Sequence, residues 1–382
     1  MRYQGRYSQQ PKKKKLNKGI LALIVIFALL LILFLGGLIY ANSMLSLIRR
    51  PEETMGETLS SELERQMIGN ITEASEPQPG DATAPAQEPE EEAPIETEKT
   101  AYQNTGKLVN IMLVGQAARD LVEGAKLSDT MMLFTLNKET GELTVTSFLR
   151  DTYVQLAKYP GHTVGMSRLN NAYALGYSWD GDEAAIYMLS KTIELNFGSK
   201  IDFTVEVSFD SFVTIINELG GVTVELDEDE AKYMTELSNA TRSFTAGSVT
   251  LNGTEALGYA RMRHATAADS DMNRVSRQQK VVSSILEQCR GMSLGQLNSL
   301  MKTVLPQVMT DMTNADIRSL ALEVLPMVSK LTMVSNQCPA EGTYYGQIID
   351  IAGTPSAVLM TNLQENMNRM TAITEIEEDA EE

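Results

Sequence analysis

A chain of 382 residues has room for one large domain, or two ordinary ones, with appendages. Its formal charge is -18, but most of the excess acid lies in residues 51–100 and in the terminal "ITEIEEDAEE", so the charge describes appendages and excludes nothing about the ligand of the domain between them. Two cysteines and two histidines, with no C-x-x-C or His-rich spacing, argue against a zinc centre.

The first eighteen residues carry Arg2, Arg6, Lys12, Lys13, Lys14, Lys15 and Lys18 and no acid. Gly19 to Ala41 is an unbroken apolar run with no polar face, which rules out a core helix. At about 1.5 Å per residue it reaches roughly 34 Å, enough to cross a hydrocarbon core of about 30 Å. The apolar region of a cleaved signal peptide is about 7–15 residues, so an uncleaved transmembrane helix is the better reading. The positive flank keeps the N-terminus in the cytoplasm as a basic stub that touches anionic membrane lipid, and places everything after the span outside. Residues 42–104, with "EPQPGDATAPAQEPEEEAPIETE", combine low hydrophobicity, like charges and repeated proline, and read as a flexible extracytoplasmic stalk.

The folded domain is expected over residues 105–370, followed by an acidic disordered tail, 371–382. "KLVNIMLVG" is a short apolar run ending in glycine and fits a buried central strand. "DTMMLFTLNKETGELTVTSFL" reads as two strands joined by the turn "KETG". "DEAAIYMLSKTIELNFG" is a helix capped by Asp182 and ended by Gly198, and "SFDSFVTIINELGGVTVEL" is a helix, a Gly-Gly stop and a strand. A helix runs from Met272 to about Arg290, with Val275, Val281, Val282, Ile285 and Leu286 on its apolar side, and the apolar stretches after Gly291 read as outer helices. Alternating helices and strands give an α/β class with a mixed central sheet flanked by helices. Cys289 and Cys338 either pair in an oxidising compartment or stay as buried thiols. His162 and His264 read as surface or packing residues, and the 21 methionines as core.

"YARMRHATAADSDMNRVSRQQK", residues 259–280, crowds Arg261, Arg263, Arg274 and Arg277 into one window. If "YARMR" is extended, Arg261 and Arg263 share a face, and on the next helix Asp271, Arg274 and Gln278 share one too. Arginine suits pyrophosphate because its planar fork donates two hydrogen bonds and never deprotonates. An internal Arg–Asp salt-bridge network accounts for the window equally well. "TSFLRDTYV" puts Arg150 and Asp151 at the end of an apolar strand, and "GAKLSDTMML" puts Asp129 at the start of one.

The order and spacing of these stretches with "NNAYALG", "ELGGVTVEL", "LNGTEALGYARMR" and "DMNRVSRQQK" resemble the LytR-CpsA-Psr family of membrane-anchored bacterial cell-envelope proteins. The resemblance covers about Lys107 to Cys289, and more loosely extends to residue 365. It implies a domain that binds a polyprenyl-pyrophosphate-linked glycan in an apolar pocket and transfers the glycan phosphate to a peptidoglycan acceptor, attaching teichoic acid or capsular polymer. By resemblance Asp129 is a Mg2+ ligand, and Arg119, Arg150, Arg168, Arg261, Arg263, Arg274, Arg277 and Gln278 bind the pyrophosphate. By the same resemblance Asp271 orients the arginines; no side chain stands out as a general base, Asp129 and Asp271 being candidates by position alone. The chain departs from the family's "G-x-D-x-R" in "GQAARD": Gly115 and Arg119 match, but Ala117 stands where the carboxylate is expected. Leu127 replaces an arginine two residues before Asp129, and Asp120 lies three residues beyond Ala117. Mg2+ is often held by one or two carboxylates plus phosphate and water, so the loss weakens rather than abolishes the site.

The rival functions are a non-catalytic envelope protein that keeps the arginine cradle, and a transcriptional regulator. Nucleic acid is opposed by the topology, which puts the domain across the membrane from DNA, and by a cytoplasmic stub too short for a helix-turn-helix. On intact cells, an epitope placed after residue 100 is expected to be cut by external protease and one before Lys12 to be protected. The reverse accessibility would contradict the envelope topology.

Overall fold

The structure, a computed structural model, describes residues 43–51, 106–116, 128–239, 241–262, 271–351 and 354–375. The expected stub, the expected transmembrane span and most of the expected stalk lie outside these residues, among which no helix is long and apolar enough to cross a membrane. The chain divides into two units, Met1–Ser46 and Leu47–Glu382; the first is described only at residues 43–46, of which 43–45 are helical.

In the second unit β1 (Leu108–Gln116), β2 (Ser128–Asn137) and β3 (Glu142–Phe148) form an antiparallel meander, followed by the short hairpin of β4 (Tyr153–Gln155) and β5 (Met166–Arg168). Next come α1 (Leu169–Phe197), β6 (Phe203–Ser208), α2 (Phe209–Glu218), β7 (Val222–Leu226), α3 (Glu228–Leu237), β8 (Gly247–Leu251), α4 (Gly253–Ala260) and the long α5 (Asp271–Gly291). The last part holds α6 (Leu294–Val304), β9 (Val308–Thr310), α7 (Asn314–Val324), β10 (Thr332–Cys338), β11 (Tyr344–Ile351), β12 (Thr354–Thr361) and α8 (Leu363–Thr374). Six strands make the central sheet in the order β10-β3-β2-β1-β6-β9. β1 runs parallel to β6 and β3 to β10, while the other neighbours are antiparallel, so the sheet is mixed as expected.

Alternation along β1 explains its apolar run. Met112 and Val114 join Met131 and Leu133 of β2 against α1 and Met370 of α8, whereas Val109 and Met132 face the other way, toward Val282 and Leu286 of α5 and Ile317 and Leu320 of α7. Both faces are covered, and each fully buried side chain of this size contributes about 1.5–3 kcal/mol. A third apolar cluster joins α2, β7, β8, α3 and α4 around Ile216, Val224, Met234, Leu251 and Tyr259.

The turn between β2 and β3 forms as read: Asn137 Oδ1 accepts from the backbone N–H groups of Glu139 and Thr140, and Gly141 takes φ 76°. Ser208 caps α2, and Gly220 and Gly221 follow it with positive φ. The sequence places the start of α1 too late. Helical geometry already begins at Leu169, breaks at Asp180 and Gly181, resumes at Asp182 and ends at Gly198, so the breaker-like "WDGD" marks a kink and not a start.

Three further differences concern segments without periodicity. Arg49, placed in the stalk on sequence grounds, exchanges backbone hydrogen bonds with Val308 and Thr310 beside β9. Residues 371–374, expected in the tail, form the last turn of α8, where Thr374 O accepts from Asn110 Nδ2 at 3.2 Å. The region after α5 contains β9 to β12 as well as helices. Cys289 and Cys338 are both free, and burial pushes the Cys338 thiol up. His162 stacks on Trp179 with ring centroids 4.1 Å apart, a packing role, while His264 lies outside the described residues.

The two halves of α1 touch at Gly176. A Cβ there would lie 2.3 Å from the Ala184 carbonyl oxygen, a backbone atom that cannot move independently. Gly176→Ala is therefore expected to destabilise the domain by at least about 1–3 kcal/mol in a thermal or urea melt. An unchanged transition would contradict the kink.

Candidate functional site

The site is built at the end of β1 where the strand register breaks. Gly115 pairs with Thr130 and Gln116 with Ser128, so Asp129 is the extra residue of a β-bulge and has no partner across the ladder. A Cβ at residue 115 would stand 2.9 Å from Thr130 Cβ, which explains the glycine. Bulges re-aim side chains. The Asp129 carboxylate is turned onto Arg150, whose Nη1 donates to Asp129 Oδ1 at 2.8 Å. Arg150 follows β3, fixed by the bond from Leu149 N to Cys338 O. Its Nε lies 3.4 Å from Asp151 Oδ2, and Asp151 Oδ1 lies 3.8 Å from Arg168 Nη1, giving an alternating chain of four charges. The start of α1 braces it: Leu169 N donates to Thr152 O and Asn170 N to Arg150 O.

Across a cavity of about 350 Å³ stand Arg261, Arg274 and Gln278. Arg261 is the C-cap of α4, and its guanidinium lies 4.6 Å over the Phe209 ring. Asn252 caps α4 with a full capping box, so "YA" is the last helical turn; "YARMR" is not extended up to Arg261, and Met262 packs in the core. Arg274, on α5, is 6% exposed. Gln278 donates to Thr130 Oγ1 at 3.1 Å and so ties α5 to β2. Asp129, Arg150, Arg261 and Arg274 all line the cavity, three guanidinium groups against one carboxylate, so this part of an acidic chain is electropositive. A second cavity of about 180 Å³ shares Thr130, Phe209, Arg261 and Gln278 with the first, and its remaining wall is almost wholly apolar, including Leu113, Met132, Val207, Ile215, Leu257 and Val282.

Two residues read as phosphate ligands are placed elsewhere. Arg277 is 3% exposed and lines neither cavity. Its Nη1 faces Glu230 Oε1 at 3.5 Å and its Nη2 donates to Met262 O at 2.9 Å, an internal ion pair of the kind the sequence left as an alternative. Tyr259 hydroxyl donates to Glu230 at 3.4 Å, and burial, then the Glu230 charge, raise its pKa. Arg168 reaches Asp151 and not the cavity. Arg119, Arg263, Ala117, Asp120 and Leu127 lie outside the described residues, as does the side chain of Asp271, whose backbone opens α5. Phe209, Tyr233 and Thr130 line the cavity without having been singled out; the place of Phe209 at a helix start and of Thr130 near a strand start could have signalled them, whereas Tyr233 stands in mid-helix with no such signal.

Among the described residues no group of three His, Cys, Asp or Glu side chains is gathered as a metal site. Asp129 offers one hard anionic oxygen beside the arginines. That donor set fits Mg2+, which commonly takes one or two carboxylates and fills its octahedron with substrate phosphate and water.

A family model described as the LytR_cpsA_psr family matches residues 78–369. The polyisoprenyl-teichoic acid–peptidoglycan teichoic acid transferase TagT of Bacillus subtilis is 32% identical over 191 residues, 48% of this chain and 53% of that protein. A transferase with the same descriptive name, TagU of Bacillus licheniformis, is 25% identical over 68% of this chain and 78% of its own length. The regulatory protein MsrR of Staphylococcus aureus is 32% identical over 48% of this chain and 49% of its own length. The chain thus spans about half the length of TagT and of MsrR in these matches. Among solved structures, TagT bound to LI-WTA aligns with a TM-score of 0.54 at 25% identity, over 71% of this chain and 92% of that one. Protein gbs0355 from Streptococcus agalactiae aligns at 0.57 and 22% identity, over 70% and 88%, a likeness of fold.

The internal ion pair and the cavity arginines should separate by stability. Arg277→Ala strands a buried carboxylate and is expected to cost about 3–5 kcal/mol in a urea melt. Arg261→Ala should cost under about 1 kcal/mol, the scale of one cation–π contact. Equal losses would mean that both arginines are structural.

Proposed function

The chain belongs to the LytR-CpsA-Psr family, and from that premise we propose that it is a membrane-anchored extracytoplasmic phosphotransferase. It moves a glycan phosphate from a polyprenyl-pyrophosphate carrier to peptidoglycan. The observation that carries this reading is the pair of adjoining cavities, one lined by Arg150, Arg261 and Arg274 and the other apolar, with Thr130, Phe209, Arg261 and Gln278 common to both. A prenyl pyrophosphate has that same division into a charged head and a hydrocarbon tail. The names of TagT and TagU, polyisoprenyl-teichoic acid–peptidoglycan transferases, support it. In the proposed topology residues 1–18 are cytoplasmic, residues 19–41 span the membrane, and a stalk between there and residue 105 precedes the domain.

In the reaction a hydroxyl of the wall acceptor attacks the sugar-proximal phosphorus. A new P–O bond forms as the anhydride P–O bond breaks, the hydroxyl proton passes to solvent water, and polyprenyl phosphate leaves. Arg261 and Arg274 bind non-bridging oxygens with charge-assisted hydrogen bonds, and Arg150, already oriented by Asp129, meets the same head group from the opposite wall. Their service is electrostatic: charge that spreads over the transferred and leaving phosphates is met by donors already in place. Mg2+, held by Asp129, would supply further neutralisation of that charge. The apolar cavity excludes water from the tail side.

A second reading, a binder without turnover, is favoured by Ala117 and Leu127, which leave Asp129 as the one carboxylate lining the described cavity. Release of polyprenyl phosphate from a lipid-linked glycan in the presence of peptidoglycan decides between them. The phosphotransferase reading expects release that stops with EDTA and with Asp129→Ala; tight binding with no release would establish the binder. Arg261→Ala is expected to weaken binding of a prenyl pyrophosphate by about 1.5–3 kcal/mol, the scale of a hydrogen bond to a charged group. Ala117→Asp, by adding a second hard oxygen, should tighten Mg2+ binding in a calorimetric titration.

A further inference from the structure

Resting on that reading, we infer that Glu206 and Tyr173 are positioning residues that act through Gln116 to fix the strand opposite Asp129. Gln116, the last residue of β1, is 7% exposed, and its Nε2 donates to the Tyr173 hydroxyl at 2.9 Å. Tyr173 lies wholly buried in α1, and its hydroxyl donates to Glu206 Oε2 on β6. Glu206 pairs with Val114 and Ser208 with Gln116 in the parallel β1–β6 ladder, so the Glu206 and Gln116 side chains point to the α1 face of the sheet, where Tyr173 stands.

Packing alone gives no reason for this chain. Three apolar side chains would fill the same volume without the cost of burying polar groups. What a buried hydrogen-bond chain adds is direction. The Gln116 amide cannot turn away without stranding the groups behind it, so the end of β1 is held in one register. Burial, with the Glu206 charge second, holds the Tyr173 phenol well above its ordinary pKa, and its hydroxyl stays a donor.

The register held here is the one that makes the bulge. Gln116 faces Ser128 while Gly115 faces Thr130, leaving Asp129 between them. Were Gln116 to slip by one residue and pair with Asp129, the bulge would vanish and Asp129 would be redirected. The same helix also braces the partner of Asp129, since Asn170 N, three residues before Tyr173, donates to Arg150 O at 3.1 Å. Both ends of the Asp129–Arg150 pair are thus held from α1.

The test uses the full chain in lipid nanodiscs, titrated first with geranylgeranyl pyrophosphate in EDTA and then, once loaded, with MgCl2. Tyr173→Phe is expected to weaken Mg2+ by about tenfold or more, the usual effect of losing a group that orients a metal ligand. The metal-free affinity for the pyrophosphate should hold within about twofold, because Arg261 and Arg274 lie on other elements. Gln116→Leu, a milder change at a strand end, should act in the same direction. Glu206→Gln keeps an acceptor for Tyr173 and should restore near-normal Mg2+ affinity where Glu206→Ala does not. Unchanged Mg2+ affinity in folded Tyr173→Phe and Gln116→Leu would overturn the inference while leaving the proposed function intact. So would loss of both affinities in step with melting temperature, the mark of a purely structural role. A wild-type protein that takes up no Mg2+ when loaded would overturn the inference together with the metal assignment beneath it.

Discussion

The cavity depends on one ion pair, Asp129 with Arg150, held between the start of β2 and the end of β3. It stands with both side chains mostly covered, where removing one partner leaves an uncompensated charge in a medium of reduced dielectric. That makes the geometry hard to relax. Asp129 reaches Arg150 because it is the extra residue of a bulge, and the bulge closes because residue 115 has no Cβ to strike Thr130. A single glycine, a register break and a carboxylate are therefore one feature, and the arginine they aim is the one proposed to meet a phosphate.

The opposite wall is assembled by different means. Arg261 ends α4 and Arg274 sits on α5, and neither helix belongs to the central sheet. What keeps them facing Arg150 is the buried pair of Glu230 on α3 with Arg277 on α5, together with the bond from Gln278 to Thr130. Arginines of one short window thus divide their work: Arg277 joins helices inside the core, and Arg261 and Arg274 present guanidinium groups to the cavity. The apolar cavity beside them follows from the same packing, since α2, α4 and α5 meet β1, β2 and β6 there through side chains such as Ile215, Leu257, Val282 and Leu113.

Much of this was legible in the sequence, and the reasons differ by element. β1 and the β2–β3 hairpin were plain because continuous apolar runs and a Gly-containing turn have few other readings. Asp129 at a strand start and Arg150 at a strand end were legible from order and spacing, and both line the cavity. Extended geometry at Arg261 was a misreading, because the Asn252 cap nine residues before it starts a helix that runs to Ala260, and a two-residue alternation carries no information against a capping box. Arg277 was indistinguishable from Arg274 by type and spacing; three residues apart on a helix they lie about 60° apart in projection, and the position of Glu230 decides which one pairs inside the core and which lines the cavity. The kink of α1 shows only as an Asp-Gly pair inside one helix, β9 and β10 were hidden because their partners β6 and β3 are remote in sequence, and the β11–β12 hairpin because its two strands are half-exposed.

The central claim is that one site reads a charged diphosphate and a hydrocarbon tail together. Calorimetry with inorganic pyrophosphate, a prenyl monophosphate and the corresponding prenyl pyrophosphate tests it most directly, all against the same full-length protein in nanodiscs. The account predicts that the prenyl pyrophosphate binds far more tightly than either partial ligand, because only it fills both cavities at once. Equal affinity for inorganic pyrophosphate and prenyl pyrophosphate would contradict the account, since the apolar cavity would then take no part in recognition.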